Sequence, residues 1–168
     1  MKALIITGTP GTGKTFLANQ LAKKLKLPCV HLNELIKKNK ALHQGKDPDG
    51  TIVVNEARLL TTIKQLLMHL KIPPIIEGHL AHILSRQLVA CCIVTTCDLK
   101  TLRRRLQSRR YNQQKMRQNL DAEILQTCLI EAKQRHHRII VLDTTDIKHP
   151  PYAVLTRVKQ YLHHDRHR

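Results

Sequence analysis

Aromatic residues are nearly missing from this chain: its 168 residues include one Phe, three Tyr and no Trp. The core must therefore be assembled from Leu, Ile, Val and Ala, and there is little with which to build the aromatic platforms that stack single-stranded nucleic acid. Acidic residues are scarce too, 12 Asp and Glu against 29 Lys and Arg, leaving a formal net charge of +17. Such a field attracts polyanions such as nucleotides, RNA or ribonucleoprotein, although ordinary solvated basic faces account for it equally well. The five cysteines, Cys29, Cys91, Cys92, Cys97 and Cys128, form no C-x-x-C pair. An odd count without a framework points to a reducing compartment, and Cys91-Cys92, inside an apolar run, read as small buried residues. No apolar run reaches membrane-spanning length, and the first apolar stretch is too short for a signal-peptide core. The expectation is a soluble cytoplasmic protein with no membrane partner. It is read as a single domain over residues 1–168, since 42% hydrophobic content suits one core.

What the chain does have is a complete phosphate-binding loop, G-x-x-x-x-G-K-[ST], at Gly8-Thr9-Pro10-Gly11-Thr12-Gly13-Lys14-Thr15. An apolar run, Ala3–Ile6, delivers the chain to it, and a helix-like segment from Phe16 follows. In this context the loop N–H groups and the positive end of the helix point at phosphate oxygens. Lys14 can reach the β- and γ-phosphates, and the Thr15 hydroxyl can ligate Mg²⁺.

Apolar runs alternate with amphipathic stretches along the remainder. Strands are expected at Lys2–Thr7, Pro28–Leu32, Pro73–Glu77, Leu88–Thr95 and Ile139–Asp143. Helices are expected at Lys14–Lys26, Asn33–Asn39, Asn55–Lys71, from the Asp98 cap to about Ser108, at Asp121–His136 and at Tyr152–Leu162. Ala41–Thr51 reads as a loop, Arg109–Asn119 as a polar basic stretch, and residues 163–168 as a frayed tail. The alternation, with the phosphate loop at its first turn, predicts a P-loop α/β fold, a five-stranded parallel sheet flanked by helices, with its site at the carboxyl ends of the strands; the resemblance to small kinases named below implies the P-loop kinase type of that fold.

Two further stretches carry chemistry. Pro74-Ile75-Ile76-Glu77-Gly78-His79 runs from apolar residues into a carboxylate at a strand end, where phosphate-loop enzymes hold Mg²⁺. His79, two residues on, is placed to position water or phosphate, and a zinc site with His82 lacks further ligands at suitable spacing. On the helix after Asp98, Leu99, Leu102 and Leu106 share a face, while Arg105 and Arg109, four apart, can converge on one anion as a basic lid.

These residues together resemble the small adenylate kinase family of archaea and eukaryotes known as adenylate kinase isoenzyme six. The resemblance rests on Thr7–Thr15, on Glu77-Gly78-His79, on Arg105–Asn112 with Lys115 and Asn119, and on Glu123-Ile124 with Glu131-Ala132. It implies reversible transfer of the ATP γ-phosphate to AMP or another nucleoside monophosphate with Mg²⁺, ATPase activity, and binding of a small-subunit ribosomal protein on the pre-ribosome during ribosomal RNA maturation. It further implies that ATP contacts Gly11, Gly13, Lys14, Thr15, Phe16 and Arg109, that Glu77 and His79 form the metal and water-positioning pair, and that Lys14, Glu77, His79, Arg105 and Arg109 carry catalysis. The acceptor-binding segment would span about 31–54, with Asn33, Glu34, Lys37, Lys38 and Arg58 as polar candidates, although ordinary surface charge explains those equally well. The lid would span about 108–118. Three residues depart from the family pattern: Glu77 stands in place of an aspartate, His82 in place of an acidic residue, and Arg110 where a glycine is familiar, which stiffens the lid hinge. Two uses of the cleft stay open at this point, a nucleoside monophosphate kinase and an ATP-driven switch in ribosome assembly. Nonspecific RNA contact is a further expectation of the charge.

Overall fold

Every residue of the first strand, β1 (Ala3–Gly8), is buried, as a strand covered on both faces must be. In the computed structural model, which describes residues 2–47, 50–135 and 138–164, Ala3 and Ile5 enter one apolar cluster while Leu4 and Ile6 enter another. That is the period-two alternation of a pleated strand. The elements then follow as α1 (Lys14–Leu25), β2 (Cys29–His31), α2 (Leu32–Lys38), β3 (His43–Lys46), β4 (Ile52–Val54), α3 (Glu56–His69), β5 (Ile75–Glu77), β6 (Val89–Thr96), α4 (Leu99–Ser108), α5 (Gln113–Ile124), α6 (Thr127–Gln134), β7 (Ile139–Asp143) and α7 (Tyr152–His164).

Five strands form a sheet in the order β2-β5-β1-β6-β7, every neighbouring pair parallel. The chain leaves β1 toward one edge, builds β2 and β5, and returns to build β6 and β7 on the other side. The carboxyl end of β1 is therefore the topological switch point, where open α/β sheets bind their ligands. One face is covered through Leu17, Leu21, Val154 and Val158 of α1 and α7. The other is covered through Leu59, Ile63 and Leu67 of α3 and Leu129 and Ala132 of α6. Cys91 and Cys92 are buried on opposite faces of β6, and all five cysteines are free thiols. A third cluster, Cys97, Leu102 and Leu106 with Tyr111, Met116 and Leu120, seals the base of α4 against α5. Leu99 departs from the expected shared face and remains 43% exposed.

The structure corrects the expected elements in four places. The stretch read as a loop at Ala41–Thr51 contributes to an antiparallel hairpin, β3 with β4; Pro48 and Asp49 of that stretch lie outside the described residues. The polar run Arg109–Asn119 is helical from Gln113, because the Asn112 side chain caps α5 by accepting from the Lys115 N–H at 2.8 Å. The single helix expected over Asp121–His136 is instead the end of α5 and a separate α6, divided at Gln126, whose φ of 51° breaks the helical path; His136 lies outside the described residues. At the far end α7 continues through His164, past the expected start of fraying at His163, and residues 165–168 lie outside the described residues. Among the described residues no helix is long and apolar enough to cross a membrane.

Candidate active site

The loop between β1 and α1 is shaped by close backbone contacts. Gly8 has φ 137°, and a Cβ there would lie 2.4 Å from the Thr95 carbonyl oxygen of β6. Gly11 has φ 97°, and a Cβ there would lie 2.7 Å from Leu102 of α4. Only glycine fits either position. Thr12 ties the loop to the sheet through the Thr9 carbonyl and the Thr95 hydroxyl, both at 2.7 Å.

Lys14 starts α1 and is buried at 8% exposure. Its ammonium folds back over the loop, donating to the carbonyls of Gly8 at 2.8 Å and Thr9 at 3.0 Å. Burial, the largest cause, pulls it down to about 8; the Arg109 charge pulls the same way, while Glu77 and Glu123 oppose. Arg109 is itself exposed beyond the end of α4, so it acts on the loop through the field of its charge.

Thr15, next in sequence, donates from Oγ1 to Glu77 Oε1 at 3.1 Å. Glu77 ends β5 and is 3% exposed, so its carboxylate is presented from the sheet interior. Sequence reasoning missed its other partner, His31, whose Nδ1 lies 2.9 Å from the same oxygen. His31 ends β2 and sits opposite Glu77 in the parallel register. The available signal was of the kind that singled out Glu77, a polar residue closing a short apolar strand. Hydroxyl and carboxylate oxygens suit a hard divalent cation that takes its remaining ligands from water and phosphate. Thr15 and Glu77, already in contact, therefore fit Mg²⁺.

His79 follows on the turn after β5. Burial, and then the charges of Lys14, His82 and Lys115, lower it to about 4, so its ring is neutral near pH 7 and can accept a hydrogen bond. Lys115, on α5, also donates to the Thr51 hydroxyl at the edge of β4 and lies over the Tyr111 ring. The helix α5 thus reaches across to the β3–β4 hairpin. Arg58, among the polar candidates nearby, donates to the Ala41 carbonyl at 3.0 Å, and Lys38 pairs with Glu34 at 3.8 Å on the surface.

Arg105 turns inward. Its guanidinium donates to the carbonyls of Thr144 and Thr145 at 2.9 and 3.0 Å, and to Gly11 O, Cys97 Sγ and Thr144 Oγ1 at 3.3–3.5 Å. It braces α4 against the phosphate loop and the segment after β7, whereas Arg109 stays in solvent, so the two do not share an anchoring point. Gly13 packs beside Thr144, and Phe16 is 42% exposed on α1. A groove of about 620 Å³ between α4 and α5 is lined by Leu99, Met116 and Leu120 and by none of the loop residues. The convergence of Lys14, Thr15, Glu77 and His79 marks the chemistry more directly than that space does.

Comparison with known proteins gives the same direction. The AAA domain family matches residues 4–126. The chain is 38% identical over 141 residues to a Schizosaccharomyces pombe protein named adenylate kinase isoenzyme 6 homolog, covering 83% of this chain and 79% of that one. It is 32% identical to the Dictyostelium discoideum protein of the same name, with the same coverage. Among solved structures, the shikimate kinase of Bacteroides thetaiotaomicron superposes with a TM-score of 0.55 over 96% of this chain and 98% of its own, at 15% identity, a likeness of fold.

Proposed function

The chain belongs to the adenylate kinase isoenzyme 6 family, and from that premise we propose that its cleft transfers the γ-phosphate of ATP reversibly to AMP or a related nucleoside monophosphate. The observation that carries the proposal is the position of His79. It lies within electrostatic reach of both Lys14, from the phosphate loop, and Lys115, from the contact of α5 with the β3–β4 hairpin. A triphosphate on the loop and a monophosphate at the 31–54 segment would meet at this imidazole.

Each residue then has a task. Loop N–H groups and Lys14 bind the β- and γ-phosphates, and a phosphate oxygen replaces the Gly8 and Thr9 carbonyls as the ammonium's partner. Gly11, Gly13 and Phe16 line the donor site, and Arg109 adds positive charge from the lid. Thr15 and Glu77 would hold Mg²⁺, which would neutralise charge that develops during transfer. His31 orients the Glu77 carboxylate. Arg105 keeps α4 seated on the loop. Closure of the lid excludes water, which limits hydrolysis. The acceptor phosphate is the nucleophile, and no covalent enzyme intermediate is required.

A second use is supported by one feature. A neutral imidazole beside the loop can position water as readily as an acceptor phosphate, which suits ATP hydrolysis. With the +17 charge and the family resemblance, hydrolysis fits a role on the maturing small ribosomal subunit, with a small-subunit ribosomal protein as partner. Quantifying ADP from ATP with and without AMP separates the two. Loss of AMP in step with ATP is expected for the kinase; phosphate release indifferent to AMP would reject it in favour of the ATPase. For the ribosomal role, a pull-down at moderate salt should retain a small-subunit protein, and recovery of only salt-sensitive bulk RNA would exclude it.

A further inference from the structure

His82 has no task in the scheme above, yet it is 5% exposed and sits directly under the turn that carries His79. Its Nδ1 is 2.9 Å from Thr7 Oγ1, and its Nε2 is 2.8 Å from Glu131 Oε2 on α6. Thr7, fully buried, immediately precedes the phosphate loop, and its hydroxyl donates to the His79 carbonyl at 3.0 Å. A chain of contacts thus runs from α6, through His82 and the end of β1, to the backbone of His79. The other side of the same strand end is held too, by the Thr95 hydroxyl on the Thr7 carbonyl at 3.2 Å.

The hydrogens of this chain can be counted. Thr7 has one hydroxyl hydrogen, and two acceptor positions, His79 O and His82 Nδ1, lie within reach of it. Both contacts are hydrogen bonds at once only when Nδ1 is itself the donor and the hydroxyl hydrogen goes to His79. The carboxylate of Glu131 requires a hydrogen on Nε2 as well. All three contacts are hydrogen bonds at once when the ring is an imidazolium and Glu131 is ionised. If the ring is neutral with its hydrogen on Nε2, the single Thr7 hydrogen divides between Nδ1 and the His79 carbonyl, and the turn loses its full-time donor.

We propose that His82, held as an imidazolium between Thr7 and Glu131, is a positioning residue that locks the Glu77–His79 turn to the entry of the phosphate loop, so that phosphoryl transfer is fastest while His82 keeps its second proton. The charged and titratable groups around it include Glu131, its neighbour Cys128 and Arg135 on α6, His79 on its own turn, and Lys14 beyond. Arg135 is spent on the Ile83 carbonyl at 3.1 Å and holds the far side of the same turn. Glu131 is the carboxylate in direct contact, and its side chain is 45% exposed, which gives the imidazolium a route for proton exchange with solvent. The proposal rests on the reading of the cleft as a phosphoryl-transfer site. It adds a side chain that touches neither nucleotide nor metal and acts through the backbone of one that does.

The test combines rates with a direct reading of the ring. Nitrogen-detected NMR of the imidazole side chains of the intact protein should show both His82 nitrogens protonated near pH 7. The signal is assigned by its loss in His82→Gln, or by its shift in Glu131→Gln if the first variant does not fold. In the wild type, kcat for ADP formation should decline with rising pH along the same titration, with KM for ATP within about twofold, because misplacing the reacting groups affects the chemical step before binding. His82→Gln should lower kcat about tenfold or more and remove that titration from the profile. Glu131→Gln should move the NMR midpoint and the kcat midpoint to lower pH together. An Nδ1 without hydrogen near pH 7, or superimposable profiles for wild type and His82→Gln, would overturn the proposal. If the wild type forms no ADP from ATP and AMP at any pH, the kinase reading fails, and the spectrum alone decides the state of His82.

Discussion

Burial holds the Lys14 ammonium down to about 8, which makes its charge sensitive to pH in the range where the protein is assayed. Above that pH free protein loses the cation that receives the phosphates, so kcat/KM for ATP should fall. At saturating ATP the bound phosphates favour the charged form, so the Lys14 titration should be absent from kcat; pH profiles of both parameters in His82→Gln, which lacks the decline assigned to His82, check this. Stability moves the other way. An unfolded chain keeps the Lys14 proton up to its ordinary 10.5, so the burial penalty, about 3 kcal/mol below pH 8, is relieved as pH rises from there toward 10.5. Lys14→Met removes the charge altogether and should cost roughly 10²–10³-fold in ADP formation while leaving the fold intact by circular dichroism. Lys14 and Thr15 were legible in the sequence because eight contiguous residues spell their site, and Glu77 because it closes an apolar run. His31 was not assigned to Glu77, since a separation of 46 positions gives no indication that their strands pair.

Between α4 and α5 the backbone turns through Arg110 at φ 56°. A side chain in the left-handed region carries a strain of about 1–2 kcal/mol, partly offset by the smaller entropy of a non-glycine unfolded chain. Arg110→Gly should therefore stabilise the protein by about 0.5–1 kcal/mol, a rise of about 2–3 °C in thermal unfolding. Arg110→Val, β-branched at the same φ, should lower it. The family resemblance implied a glycine at this position, and the φ of 56° is one that glycine adopts without strain. The elements that escaped sequence reading did so for local reasons. Asn112 is a good cap, but the helix it starts opens on Gln, Gln and Lys, and its apolar line of Met116, Leu120 and Ile124 is thin, with none of the three fully buried. The hairpin β3–β4 is short, and the turn-forming residues around Asp47 and Gly50 masked its strands. Periodicity ran on across Gln126, where the break is a matter of one φ angle.

Across the whole molecule, 29 basic residues face 12 acidic ones, and the phosphate loop lies in the field of that excess. Mutual repulsion destabilises the compact state at low ionic strength, so raising NaCl from about 20 to about 200 mM should raise the melting temperature, whereas the affinity for ATP should fall over the same range as its attraction is screened. Calorimetry and a binding titration at matched salt would reveal the opposed slopes; parallel slopes would show that the charge bears on neither. The alternation of apolar strands with amphipathic helices, the loop after β1 and the parallel class of the sheet were already contained in the order of residues, since side-chain period, caps and contiguous motifs depend on neighbours a few positions away. Strand order is of another kind. Placing β5 between β2 and β1 satisfies the burial of both sheet faces together, a sum over the entire chain that no window of residues expresses. That placement brings His31 to Glu77 and His82 to Thr7 and Glu131, and packing of α4 and α5 brings Lys115 to Thr51 and turns Arg105 inward. Lys14, Thr15, Glu77 and His79 were therefore readable one by one as candidates, while their partnerships, and His31 with them, came from long-range packing, which lays side chains far apart in the chain against one another.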